Sequence, residues 1–102
     1  MGLDRAPVRL AGHVVAQVGI RANSLHPGFV ITPLLKEGFQ RWVDKGVASD
    51  PQVLVDAMCA QTPIGRLAEP SELASGVYFL ASEDSAYMTG AELVIDGGWT
   101  AQ

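Results

Sequence analysis

The run Ile20-Arg21-Ala22-Asn23-Ser24-Leu25-His26-Pro27-Gly28 constrains this chain more than any other. Ile20, Ala22, Ser24 and His26 fall on one face of an extended segment and Arg21, Asn23 and Leu25 on the other, which predicts a strand from Ile20 to His26. Pro27 has no amide hydrogen and ends the ladder. Gly28 is expected to adopt dihedrals closed to residues with a side chain and to let a ligand come close to the backbone. A strand that stops in this way delivers its carboxyl end to a crevice, the place where open α/β sheets bind ligands. Thr32 then precedes Pro33, the arrangement of a helix N-cap followed by proline at the first helical position.

The helix after Pro33 places Leu35, Phe39, Trp42 and Val43 on a buried stripe and Lys36, Glu37, Gln40, Arg41 and Asp44 in water. Asp50-Pro51 opens a second helix by the same device, ending near Gln61-Thr62-Pro63, and Glu69-Pro70 opens a third. On the third, Leu73, Val77, Leu80 and Ala81 form the buried stripe, and small Ala74, Ser75 and Gly76 allow another backbone to approach. Thr89-Gly90 leads into a last strand, Ala91 to Ile95, closed by Asp96-Gly97-Gly98. At the other end, Leu3, Pro7, Leu10, Val14 and Val18 recur at helical spacing, and Pro7 predicts a break or a late start of that helix. Strand, helical crossover, strand makes a βαβ unit, so the two strands should be parallel. The fold class is α/β, with two strands and three to four helices.

Composition removes several classes of function. A chain of 102 residues that is 48% hydrophobic and 18% charged can bury one core, but a doubly wound nucleotide-binding domain is normally much longer. A net charge of −4 leaves no basic patch for nucleic acid or an anionic membrane. The single cysteine, Cys59, cannot form an internal disulfide, no run is long enough for a membrane helix, and the N-terminus lacks the build of a signal peptide. A cytoplasmic location is expected. His13 and Cys59 have no partner at ligand spacing, so no metal site is expected. His26 is read as a packing or hydrogen-bonding residue, and Asp96 as a turn residue bonding its own backbone.

Five blocks, Arg21-Ala22-Asn23-Ser24-Leu25-His26-Pro27-Gly28-Phe29-Val30-Ile31-Thr32-Pro33, Gly65-Arg66, Glu69-Pro70-Ser71-Glu72-Leu73, Phe79-Leu80-Ala81-Ser82, and Thr89-Gly90-Ala91 through Asp96-Gly97-Gly98-Trp99, resemble the C-terminal part of the short-chain dehydrogenase/reductase family, from about Gly19 to Gln102. The resemblance implies the C-terminal portion of a Rossmann-type doubly wound parallel sheet, with residues 1–102 a partial NAD(P)-binding domain and 33–63 its substrate-lid helices. It implies that Pro27 and Gly28 lie against the nicotinamide ring. The backbone of Val30 would hold the carboxamide, and Thr32 would bond the carboxamide or a phosphate oxygen. The lid face of Leu34, Leu35, Phe39 and Trp42 would suit a hydrophobic or cyclic alcohol. The helix from Pro70 and the strand from Ala91 match the family's usual subunit contact.

The family transfers hydride between NAD or NADP and an alcohol or ketone, with a tyrosine and a lysine in a Tyr-x-x-x-Lys pair handling the proton. Here Tyr78 is followed at that spacing by Ser82 and Tyr87 by Ala91, and no glycine-rich phosphate loop follows a strand. By the family's spacing Met1 falls near the lysine's position. No catalytic residue is therefore assigned, and cofactor binding by this chain alone is expected to be weak or nil. The expected function is that of the C-terminal part of an NAD(P)-dependent oxidoreductase, inactive alone. The alternative is a non-enzymatic truncated paralogue that associates with an intact homologue through the Pro70 helix and the Ala91 strand. The missing neighbour strands predict exposed Leu, Val and Phe on an isolated chain that is molten, aggregated or dimeric.

Overall fold

The structure is a computed structural model that describes residues 6–102. Leu3 and Met1, used above for the first helical stripe and the lysine position, lie outside the described residues. Four α-helices and a two-stranded parallel sheet follow one another as α1 (Ala6–Ala16), β1 (Ser24–Pro27), α2 (Pro33–Asp44), α3 (Pro51–Gln61), α4 (Pro70–Ala81) and β2 (Glu92–Ile95). The chain divides into two compact units, residues 1–26 with 73–95 and residues 27–72 with 96–102.

In the first unit, among the described residues, α1 runs from Ala6 to Ala16 and includes Pro7. The helix ends on Gly19 at φ 79°, with the Ile20 N–H donating to the Val15 carbonyl and the Gly19 N–H to that of Ala16, a Schellman cap. The stripe read from the sequence is not its buried face. Leu10, Val14 and Val18 are 65%, 56% and 73% exposed, and the helix packs instead through Gly12, with Val8 and Val15 half-buried beside it. Gly12 sets that orientation, because a Cβ there would run into the backbone of Gly90, and the Thr89 hydroxyl donates to the Gly12 carbonyl at 3.0 Å.

Both strands are shorter than the alternation suggests. The Gly90 N–H donates to the Ala22 carbonyl and the Ser24 N–H to the Ala91 carbonyl, so pairing advances in the same direction along both chains, the parallel sense. Before Ser24, however, side chains take over the bonding. The Arg21 guanidinium donates to the carbonyls of Met88 and Leu80, both at 3.0 Å. The Asn23 amide donates to the Met88 carbonyl and accepts from the Ala91 N–H. The Ala22 N–H finds the Thr89 hydroxyl rather than a backbone carbonyl. These bonds satisfy part-buried and exposed polar groups without extending the ladder.

Helix α4 lies over this sheet through Gly76, where a Cβ would stand 2.5 Å from Ile95 Cδ1 and 3.2 Å from Leu25 Cδ1. The close approach expected of its small residues is real, but it is made to sheet side chains and not to another backbone. Its contact face runs through Leu73, Gly76 and Leu80, while Val77 and Ala81, placed on the stripe by sequence, are exposed. Ser82 then caps a 3₁₀ turn, Glu83–Ser85, whose buried Ser85 hydroxyl donates to the Leu80 carbonyl at 3.0 Å and ties the turn to the end of α4.

The second unit is built on the proline-opened helices. Thr32 has extended backbone and its hydroxyl oxygen accepts the Leu35 N–H at 3.1 Å; Asp50 does the same for the Gln52 N–H at 2.7 Å. α2 packs on α3, with Phe39 only 5% exposed between them and the loops. Leu35 and Val43 are half-buried, but Trp42, expected on the buried stripe, is 50% exposed. Thr62 is buried after α3 and donates to the Met58 carbonyl. Leu67, 3% exposed, is the other buried apolar residue among those described.

Candidate functional site

The segment from Gly28 to Thr32 is held by a single parallel bridge between Val30 and Ala68. The Phe29 carbonyl accepts the Ala68 N–H at 3.0 Å, and the Ile31 N–H donates to the Ala68 carbonyl at 2.8 Å. In this pattern the residues flanking Val30 make the bonds, and Val30 turns its own N–H and C=O to the opposite edge. Neither group has a hydrogen-bond partner among the described residues. A donor and an acceptor side by side on an extended backbone complement a primary carboxamide, which offers one of each.

Gly28 does not use the dihedral freedom expected of it. Its φ is not positive. A Cβ at Gly28 would instead meet Asp96 at 2.8 Å from Cα and 3.0 Å from both Cβ and the carbonyl oxygen. The close approach that excludes a side chain is thus made by the turn after β2. Asp96 stiffens that turn as read from the sequence: its carboxylate accepts the Gly98 N–H, the Thr100 N–H and, at 2.7 Å, the Thr100 hydroxyl. The Thr100 hydroxyl first, and the backbone donors after it, hold the Asp96 carboxyl below its ordinary pKa. Trp99 follows on a 3₁₀ turn and meets Phe29 edge to face, with ring centroids 5.0 Å apart at 84°.

Gly28, Val30 and Thr32 line one cleft of about 450 Å³, together with Leu34, Leu35, Gly38, Phe39, Trp42 and Met58. The volume lies within the range of small-molecule sites. Pro27 is exposed and stands outside that lining. The half-exposed Trp42 belongs to this cleft and not to the core, as does the more exposed Leu34, which is why the stripe overstates the burial of Trp42. The Thr32 oxygen caps α2, and its hydroxyl hydrogen remains able to donate outward.

Sequence reasoning missed Ala68, which gives Val30 its open edge, and Phe29 with its Trp99 partner; nothing local to either residue signals these contacts. Met58 also went unnamed: the lid, residues 33–63, was expected to offer Leu34, Leu35, Phe39 and Trp42, and α3 adds Met58 to the same cleft. His26 has the hydrogen-bonding role expected of it: its Nε2 lies 2.7 Å from the Ser24 hydroxyl. Among the described residues no group of three or more His, Cys, Asp or Glu could hold a metal, and no helix is long and apolar enough to cross a membrane.

Parallel strands, a crossover of helices and a ligand cleft on the loop beyond a strand's carboxyl end define a partial Rossmann-like α/β protein. The profile of a family described as enoyl-(acyl carrier protein) reductase matches residues 5–100. The chain belongs to the short-chain dehydrogenase/reductase family. It is 41% identical over 93 residues to a cis-4-hydroxycyclohexanecarboxylate dehydrogenase from Sinomonas cyclohexanicum, covering 91% of this chain and 32% of that protein. A crystal structure of a short-chain dehydrogenase family protein from Francisella tularensis subsp. tularensis SCHU S4 superposes with a TM-score of 0.88 at 32% identity, covering 96% of this chain and 40% of that one. The L-sorbose reductase of Gluconobacter frateurii, solved with NADPH and L-sorbose, superposes at 0.85 with 27% identity, covering 96% and 37%. The chain spans about a third of the length of the curated relative it matches.

Proposed function

We propose that this chain forms the nicotinamide-end and substrate-side part of an NAD(P)-dependent oxidoreductase acting on an alcohol or ketone. The observation that carries this reading is the open N–H and C=O edge of Val30 beside the Thr32 hydroxyl, on the rim of an apolar cleft. The cofactor would supply the hydride acceptor or donor. The chain's own residues hold and orient: the Val30 backbone and Thr32 fix the carboxamide, the Asp96 turn packed on Gly28 keeps the loop in place, and the apolar wall excludes water. No side chain of the cleft is placed to move a proton, so no catalytic residue is assigned. Titration of the labelled chain with millimolar nicotinamide mononucleotide tests the reading. The Val30 and Thr32 amide resonances should shift, and unmoved resonances at both would overturn it.

A second reading, association with an intact homologue, draws support from a different face. Val77 and Tyr78 on α4 are 55% and 75% exposed. Large side chains left in water along one helix suit a subunit contact. Sedimentation of the purified chain checks it: self-association weakened by Val77→Lys supports the reading, and a monomer at all concentrations removes the self-association part of it.

A further inference from the structure

Trp99 lies outside the cleft lining, and its ring stands edge to face against Phe29, the lining residue next to Val30. The Phe29 carbonyl and the Val30 N–H belong to one planar peptide unit, so the bond that this carbonyl takes from the Ala68 N–H turns the Val30 N–H to the open edge. The Ile31 N–H, bonded to the Ala68 carbonyl, turns the Val30 carbonyl outward in the same way. Val30 belongs to no strand, only to an isolated bridge, so these two bonds are its whole ladder among the described residues. With so short a ladder, the tilt of the two peptide planes is set by what grips their neighbours. Trp99 is itself held on both sides. Its N–H donates to the Asp96 carbonyl at 3.2 Å, and its carbonyl accepts the Gln102 side-chain amide at 3.2 Å. The same amide reaches the Gln61 carbonyl at the end of α3, at 3.0 Å, and the Gly97 carbonyl accepts the Ile64 N–H at 3.0 Å. The ring that meets Phe29 therefore stands on a turn anchored to the end of α3 and the residues after it.

We infer that Trp99 is a positioning residue for the cofactor's carboxamide, acting through the Phe29 ring on the Val30 edge. The assignment deepens the oxidoreductase reading above and rests on it for the carboxamide. Trp99 lines no part of the cleft; it limits the positions that Phe29 can take. An edge-to-face pair holds one ring at a preferred angle to the other. A Phe29 ring free to swing carries its own carbonyl out of line with the Ala68 N–H. The Val30 N–H and C=O then no longer stand as a matched donor and acceptor, and a small misplacement is enough to weaken an oriented contact.

Amide hydrogen exchange of the ligand-free chain tests the positioning, and titration with nicotinamide mononucleotide tests its use. The Ala68 and Ile31 amides are the two donors of the bridge. In Trp99→Leu they should exchange about three- to tenfold faster than in the wild type, the range that an aromatic pair is worth, while the Phe39 amide of α2 keeps its rate. Trp99→Phe keeps a ring and should restore most of the protection. Phe29→Leu should match Trp99→Leu, and the double variant should add nothing to either. Phe29→Leu also carries the test if Trp99→Leu does not fold. The nicotinamide response at Val30 should weaken over the same range in Trp99→Leu and return in Trp99→Phe. Unchanged exchange at Ala68 and Ile31, an equal rise at Phe39, no recovery in Trp99→Phe, or additive effects of the two leucine substitutions would each overturn the assignment. So would an unweakened Val30 response in Trp99→Leu. A wild type silent to nicotinamide mononucleotide at Val30 removes the oxidoreductase reading and with it the carboxamide, while the exchange pattern still decides whether Trp99 positions Val30.

Discussion

A Cβ on Gly28 would stand 2.8 Å from the Cα of Asp96, so the loop that carries Val30 and the turn that closes β2 are packed backbone to backbone. Neither partner can yield through a flexible side chain. Gly28→Ala should therefore destabilise the chain by about 1–3 kcal/mol, the usual cost of overpacking. The urea midpoint should fall with little change in slope. A midpoint equal to that of the wild type would mean that the Asp96 turn moves aside freely and does not hold the loop.

Two helical glycines of the first unit should respond differently to the same substitution. At Gly12 the obstacle is the backbone of Gly90, and at Gly76 it is the end of the Ile95 side chain, 2.5 Å from the added atom. A terminal methyl can rotate away, whereas a backbone held by the Gly90 N–H to Ala22 bond cannot. Gly12→Ala should cost about 3 kcal/mol or more and Gly76→Ala distinctly less. Thermal melting of both variants decides it, and a Gly76→Ala chain that melts below Gly12→Ala would reverse the argument.

The same contacts mark where the sequence could be read and where it could not. Helices α2, α3 and α4 begin at Pro33, Pro51 and Pro70 because proline and the residue before each form a local start signal that needs no tertiary partner. Which face a helix buries is a tertiary matter. On α1 the spacing of Leu10, Val14 and Val18 pointed one way, but the contact of Gly12 with Gly90 turned the helix another. β1 lost its first residues to side-chain bonds from Arg21 and Asn23 that reach residues far along the chain. At the site, family spacing names Val30 and Thr32, and both line the cleft. The open edge of Val30 depends on Ala68, and the reason for Gly28 depends on Asp96, distant partners that no local pattern announces.

Thr32 has a structural duty apart from any ligand: its side chain accepts the Leu35 N–H at 3.1 Å and caps α2. Thr32→Val keeps the shape and removes the oxygen, so it should cost about 1 kcal/mol of stability. Thr32→Ser should restore most of that, since either hydroxyl can cap. The nicotinamide response at Val30 should be weaker in Thr32→Val and retained in Thr32→Ser. Chemical denaturation and the same amide titration read the two effects separately, and a Thr32→Val chain as stable as the wild type would show that the cap is dispensable.

Glu72 gives the second unit an acid-sensitive joint. Its carboxylate takes both guanidinium nitrogens of Arg66, at 2.7 and 2.9 Å, and also accepts the Glu69 N–H at the start of α4, at 2.9 Å. The Arg66 hydrogen bonds first, and the Glu69 N–H second, lower its pKa from the ordinary 4.5 to about 2. A folded-state pKa below the unfolded one means that the stabilisation is complete above 4.5 and is lost as pH falls toward 2. Both side chains are well exposed, so the effect is small and weakens with salt. The melting difference between wild type and Glu72→Gln should be present at neutral pH in low salt and vanish near the acid end of that window. A difference that does not change with pH would assign the effect of the substitution to the helix start alone.

Hydride transfer by this chain alone is the outcome that the site argues against most directly. The cleft offers an amide edge at Val30, a hydroxyl at Thr32 and an apolar wall, all of which position. None of them delivers a proton to a carbonyl oxygen. Tyr78 and Tyr87 are 75% and 104% exposed, neither lines the cleft, and neither has a lysine four residues on. General acid catalysis contributes about 10²–10⁴-fold, and a threonine engaged in capping does not replace it. A cofactor held only at its nicotinamide end also repays little of the cost of being immobilised. Cofactor absorbance followed with the purified chain, NAD or NADP, and a panel of cyclic alcohols and ketones should stay at the blank rate. Turnover that co-purifies with the chain and disappears in Thr32→Val would show that these residues carry more of the reaction than positioning.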